Sequence, residues 1–154
     1  MAIQHNTISR EGKEKAEAEL AHLRDVRRPE IVQSIKVARE FGDLKENAEY
    51  HAAREAQAMN ESRIRLLEHH LAGAVVSEAT GGDRAAIGSA VSYRAGDKLT
   101  EVTLVHALEA DLSAGKLSAE SPIGRALIGA VAGDTVSFET PRGDSRELEV
   151  VSVG

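Results

Sequence analysis

The run Phe41-Gly42-Asp43-Leu44-Lys45-Glu46-Asn47-Ala48-Glu49-Tyr50 is an acidic corner between two long helical patterns, and it decides the fold. Upstream, a less polar seam runs through Ala16, Leu20, Leu23, Arg27, Ile31, Ile35, Ala38 and Gly42 in steps of three and four. Downstream, Ala53, Gln57, Asn60, Ile64, Leu67, Leu71 and Ala74 repeat the spacing. Such steps put each set on one helix face, so the chain goes out, turns at the corner and comes back as an antiparallel two-helix coiled coil. Gln57 and Asn60 weaken the seam toward the corner. Three successive four-residue steps surround Pro29, which lacks an amide donor and crowds the preceding turn. A kink or short break is expected there, with Pro29 opening the second segment. Thr7 and Ser9 are candidate caps for the first helix, but the residue three after Ser9 is Gly12, which cannot complete a capping box.

After Gly73 the pattern changes to short β-type runs: Ala74–Val76, Ala90–Tyr93, Glu101–Val105, Thr135–Phe138 and Leu148–Val153. Turn signals separate them at Thr80-Gly81-Gly82-Asp83, Ala95-Gly96-Asp97, Ala132-Gly133-Asp134 and Pro141-Arg142-Gly143-Asp144. Alternation of apolar and polar residues fits a largely antiparallel sheet with one wet face. One short helix is expected from Pro122, with Ser121 as cap and Gly129 at the stop. The class is α+β, with a coiled-coil hairpin in 1–74 and a small sheet domain in 75–154.

Aromatic residues make up only 3% of the 154, so the core must be aliphatic and an aromatic-lined ligand pocket is hard to build. For the same reason, Tyr93 and Phe138 alone make a prolyl isomerase site a poor fit. The absence of cysteine excludes disulfides, thiolate zinc sites and cysteine nucleophiles. The formal net charge of −6 is shared unevenly, 12 basic and 13 acidic residues in 1–72 against 7 and 12 in 73–154. No large basic face is available for duplex DNA, and any nucleic-acid contact must be local. Neither a signal-peptide pattern nor a membrane-length apolar run is present, so a cytoplasmic protein without a membrane partner is expected. The six histidines do not cluster, and structural or surface roles are expected for them. Nucleophile elbows and phosphate loops are absent from the sequence.

Two groups of residues carry candidate chemistry. Asp43 and Glu46 stand three apart and would share a side of one helical turn. Local spacing alone favours Asp43 as an N-cap with Glu46 as its reciprocal partner. The same hard oxygens suit Mg²⁺, which takes one or two protein carboxylates and completes its shell from elsewhere, so a partner would have to supply the rest. Arg39 and Arg54 flank the corner. They are either solvated charges paired with Glu40, Glu49 or Glu55, or two guanidinium forks for a phosphate.

Val26-Arg27-Arg28-Pro29-Glu30-Ile31, the run Ala38 to Glu55 and Ser121-Pro122-Ile123-Gly124-Arg125-Ala126-Leu127-Ile128-Gly129 resemble the bacterial Gre transcript cleavage factors, in their GreA branch. The resemblance spans essentially the whole chain. It implies a monomeric transcription elongation factor whose coiled coil enters the secondary channel of RNA polymerase and stimulates cleavage of backtracked RNA by the polymerase. Asp43 and Glu46 would then help hold a second active-site Mg²⁺ shared with the polymerase, not bound stably by the free protein. Arg39 and Arg54 would face the RNA 3′ end, and Ser121 with Pro122 would lie in an FKBP-like domain that docks on the polymerase. Such a factor is inert toward RNA by itself. A channel-binding regulator that inhibits polymerase without promoting cleavage is the alternative, against which the intact acidic pair argues.

Overall fold

The computed structural model describes residues 6–76 and 82–154. Met1 to His5 and the Thr80-Gly81 part of the expected turn lie outside them. The chain divides into two compact units, Lys13–Gly73 and the N-terminal residues through Gly12 with Ala74–Gly154. The α+β class and the helical hairpin are both present.

In the hairpin unit, α1 (Arg10–His22) leads through a five-residue π turn, Leu23–Arg27, into α2 (Arg28–Arg39), and α3 (Ala48–Ala72) returns. Ala16, Leu20, Ile31, Ile35 and Ala38 are buried on the outgoing arm, and Asn60, Ile64 and Leu67 on the returning one. The expected break at Pro29 does not occur. The helix widens instead, the Arg28 amide donating to the carbonyl of Leu23 five residues back, and Pro29 sits in the first turn of the next segment. A proline ring collides with the carbonyl four residues before it in a regular helix, and a π turn moves that carbonyl away.

The extra residue also corrects the seam. Arg27 is exposed and pairs with Glu30 at 3.5 Å, while half-buried Arg28 turns toward α3 and grips Glu61 through two bonds of 2.8 and 2.9 Å. Arg63 holds Glu19 in the same bidentate way at 2.6 and 3.0 Å, and Arg24 reaches Glu68 at 2.9 Å. Asn60 does not merely weaken the seam: buried, it donates to the Leu23 carbonyl at 3.2 Å and so ties α3 to the π turn.

In the second unit, β1 (Thr7–Ile8) and β2 (Val75–Val76) form a two-stranded parallel pair, so the first described residues pack with the sheet unit although they precede the hairpin in sequence. Thr7 is a buried strand residue. The larger sheet comprises β3 (Ala90–Ala95), β4 (Lys98–Val105), β5 (Lys116–Ser118), β6 (Thr135–Glu139) and β7 (Ser145–Val153), in the order β5-β4-β3-β7-β6. Its pairings are antiparallel except β4 with β5, which is parallel. The strand β5 was not expected from sequence, and it makes the sheet mixed. Gly96 and Asp97 close the β3–β4 hairpin as a two-residue loop, for which the positive φ of Gly96, +62°, is suited. Val91, Tyr93, Val102, Leu104, Leu148 and Val150 point to one face and form a mostly aliphatic core with Leu117 and Leu127. The expected short helix is α4 (Pro122–Leu127).

His106 is fully buried in this unit. Its Nδ1 accepts from the Leu108 amide at 3.1 Å and its Nε2 lies 2.9 Å from the side-chain oxygen of Asn6, a structural role. No helix of the described residues is long and apolar enough to cross a membrane.

Candidate functional site

The corner at the hairpin end is a loop of residues 40–47 between α2 and α3. Asp43 does not cap α3. Its Oδ1 accepts from the Lys45 amide at 3.0 Å, a local Asx turn, whereas Asn47 is the cap and accepts from the Tyr50 amide at 3.0 Å. The helix thus starts four residues later than the capping-box reading places it, at Ala48. Asn47 could have been read from sequence, since it precedes Ala48-Glu49 and an acid in the first turn follows an N-cap well. The competing Asp-x-x-Glu spacing obscured it.

Two more side chains fasten the loop. The Asn47 Nδ2 donates to the Ala38 carbonyl at 2.7 Å, and the His51 Nε2 lies 3.0 Å from the Lys45 carbonyl. Asp43, Lys45 and Glu46 are exposed, as are Phe41 and Leu44. The carboxylates are therefore presented outward and not consumed by the helix start.

Arg39 and Arg54 converge on Tyr50, which sequence reasoning did not single out. The Arg54 guanidinium donates to the Tyr50 hydroxyl at 3.4 Å, and the Arg39 guanidinium lies 5.9 Å from the ring centroid. Arg39 first, and then Arg54, hold the phenol below its usual titration range. Neither arginine forms an ion pair with Glu40, Glu49 or Glu55 among the described residues. Both line a groove of the hairpin with Val32, Ile35, Lys36, Glu40 and Gln57.

The donor set at the loop fits part of a magnesium shell. One oxygen of Asp43 is engaged by the Lys45 amide, leaving the other and the Glu46 carboxylate as hard oxygen ligands. Among the described residues, no three His, Asp or Glu side chains gather as a metal-holding group. A cation here needs ligands from outside the chain.

Ser121 and Pro122 lie far along the chain, in the sheet unit. The Ser121 Oγ accepts from the Gly124 amide at 3.0 Å and donates to the Ser118 carbonyl at 2.6 Å, so the hydroxyl is engaged in capping α4. Pro122 is exposed and lines a shallow depression with Arg125, Phe138 and Glu139. Of the two, Pro122 is the more exposed.

The hairpin end thus carries exposed acids on a fastened loop, with two guanidiniums from the flanking helices beside Tyr50. The comparisons with known proteins give the chain its family. Residues 6–76 match the family model described as transcription elongation factor, N-terminal, and residues 79–154 match that described as transcription elongation factor, GreA/GreB, C-terminal. The transcription elongation factor GreA of Anaeromyxobacter sp. is 45% identical over 98% of this chain and 93% of its own length. That of Streptococcus sanguinis is 46% identical over 99% and 98%. Among solved structures, GreA factor homolog 1 of Thermus thermophilus aligns over 96% of this chain and 97% of its own at 30% identity, with a TM-score of 0.46. The chain belongs to the GreA/GreB family of transcription elongation factors, in its GreA branch.

Proposed function

We propose that this elongation factor inserts its hairpin into the secondary channel of RNA polymerase and stimulates the polymerase's own magnesium-dependent cleavage of backtracked RNA. It works as a monomer in the cytoplasm, where the polymerase is. The observation that carries this reading is the exposure of Asp43 and Glu46 on a loop whose backbone is fastened by Asn47 and His51. A pair used only for capping would be turned back onto the helix start, and this pair is not.

In this reading Asp43 and Glu46 contribute oxygen ligands to a second magnesium ion shared with the polymerase. The ion, when bound, neutralises negative charge that develops on phosphodiester oxygens. Arg39 and Arg54 meet phosphates near the RNA 3′ end, their guanidiniums forming no ion pair among the described residues. Tyr50 holds the two cations close together at the level of α3's first turn. Pro122 and its neighbours on the sheet unit dock on the polymerase. In this reading the chain is inert toward RNA without the polymerase.

The test adds the purified chain to stalled elongation complexes carrying end-labelled RNA. Shortening of the transcript from its 3′ end, dependent on polymerase and absent with RNA and the chain alone, is expected. Arrest of RNA extension without any shortening would favour an inhibitor that shares the fold.

A further inference from the structure

The carboxamide of Asn47 uses both its ends. Its oxygen accepts from the Tyr50 amide at the start of α3, and its nitrogen donates to the Ala38 carbonyl in the last turn of α2. The first amides of a helix have no partner within it, and the Asn47 oxygen serves one of them, while its nitrogen adds a shorter second bond to an Ala38 carbonyl that also accepts from the Phe41 amide at 3.2 Å. Ala38 is buried at 2% exposure and Asn47 is half-buried, which shields the bridge from competing water. Residues 40–46 lie between these two anchors, with Asp43 and Glu46 among them.

We infer that Asn47 is a positioning residue, which clasps the ends of α2 and α3 and thereby holds Asp43 and Glu46 in the geometry in which they act. The inference rests on the cleavage-stimulating reading above. Capping alone does not demand asparagine: serine and aspartate cap about as well. A carboxamide accepts from one helix and donates to the other through two separate atoms, whereas a carboxylate has no donor and a serine hydroxyl would have to serve both helices from one oxygen on a shorter side chain. His51 steadies the middle of the loop through the Lys45 carbonyl, so loss of the clasp frees the base of the loop without unfolding it.

The test uses the full chain carrying Asn47→Ser, which keeps the cap and adds no charge. Thermal unfolding and the factor concentration giving half-maximal effect on polymerase are expected to stay at the parental values. Amide hydrogen exchange over 41–46 in the free chain is expected to accelerate. The maximal stimulated cleavage rate should fall about tenfold, since small displacements of reacting groups are costly, and the magnesium concentration for half-maximal cleavage should rise. A mere loss of folded protein would instead raise the half-maximal factor concentration and speed exchange throughout the chain, with the magnesium requirement unchanged. Unchanged exchange, or faster exchange with unchanged cleavage and magnesium dependence, would overturn the positioning role. Asp43→Asn run in parallel separates the two ideas: if it leaves cleavage intact, the cleavage reading itself fails whatever Asn47→Ser does.

Discussion

Ser9, Gly12 and Glu109 form a helix cap assembled from residues distant in sequence. The Ser9 Oγ accepts from the Gly12 amide at 2.9 Å, while the Glu109 carboxylate accepts from the Ser9 hydroxyl at 2.5 Å and more weakly from the Ser9 amide at 3.4 Å. This is a capping box whose acid comes from a different segment, the 3₁₀ turn Ala107–Glu109. A Cβ on Gly12 would collide with the Glu109 carboxylate, so the glycine that spoils the local capping box is what lets the distant acid enter. Replacing a helical glycine by alanine ordinarily stabilises by about 1 kcal/mol. Gly12→Ala is therefore expected to give little or no gain in the parent and to recover that gain in a Glu109→Ala background, as read by chemical denaturation of the four-member cycle. Equal gains in both backgrounds would contradict the shared cap. Ser9 was legible as a cap, but Glu109 was not, because capping-box spacing looks only three residues ahead. The same blindness to alternatives made Asp43 look like the cap of α3 when Asn47, four residues on, does that work.

At the scale of elements, the returning arm was fully legible and the outgoing arm was not. The seam Ala53 to Ala74 is buried or half-buried throughout, because α3 is regular. In the outgoing arm the π turn inserts one residue, which moves the seam from Arg27 to Arg28. Proline signalled trouble at the right place, but spacing rules built on a regular helix cannot show that the answer is a wider turn. The missed strand β5 has a physical reason too: Lys116-Leu117-Ser118 carries one buried apolar residue and no periodicity to detect. The interhelical ion pairs make a prediction of their own. Arg63 holds Glu19 below the ordinary glutamate range, and Arg28 does the same for Glu61. A carboxylate with a depressed folded-state pKa contributes stability above its unfolded-state value and loses it as pH falls through the depressed one. The hairpin should therefore weaken as pH drops below about 4.3, with the midpoint of helical circular dichroism moving to lower temperature. Both pairs are partly exposed and screened, so the effect is modest. Glu19→Gln and Glu61→Gln together should flatten the acid limb; a limb as steep as the parent's would show that other groups set it.

For the whole molecule, composition bounded the answer before any motif did. An acidic chain, with its hairpin arms near neutrality, has no field for wrapping duplex DNA, yet beside one loop of exposed acids it places two guanidiniums that form no ion pair among the described residues. Sequence put Asp43, Glu46, Arg39 and Arg54 near the same corner, and the structure shows that corner as an exposed loop flanked by both arginines on Tyr50. It could not show the fastening by Asn47 and His51, since those bonds run to backbone carbonyls whose positions only the fold defines. The central claim is that the acids act on a partner's chemistry and do not serve the hairpin's own folding. Asp43→Asn tests it, because asparagine can accept from the Lys45 amide as aspartate does and so preserves the Asx turn. At saturating factor on stalled elongation complexes, the account predicts parental thermal stability and parental competition for polymerase, with stimulated transcript cleavage reduced at least about a hundredfold, as for loss of a group that stabilises developing charge. Cleavage at the parental rate, with the variant bound, would contradict it.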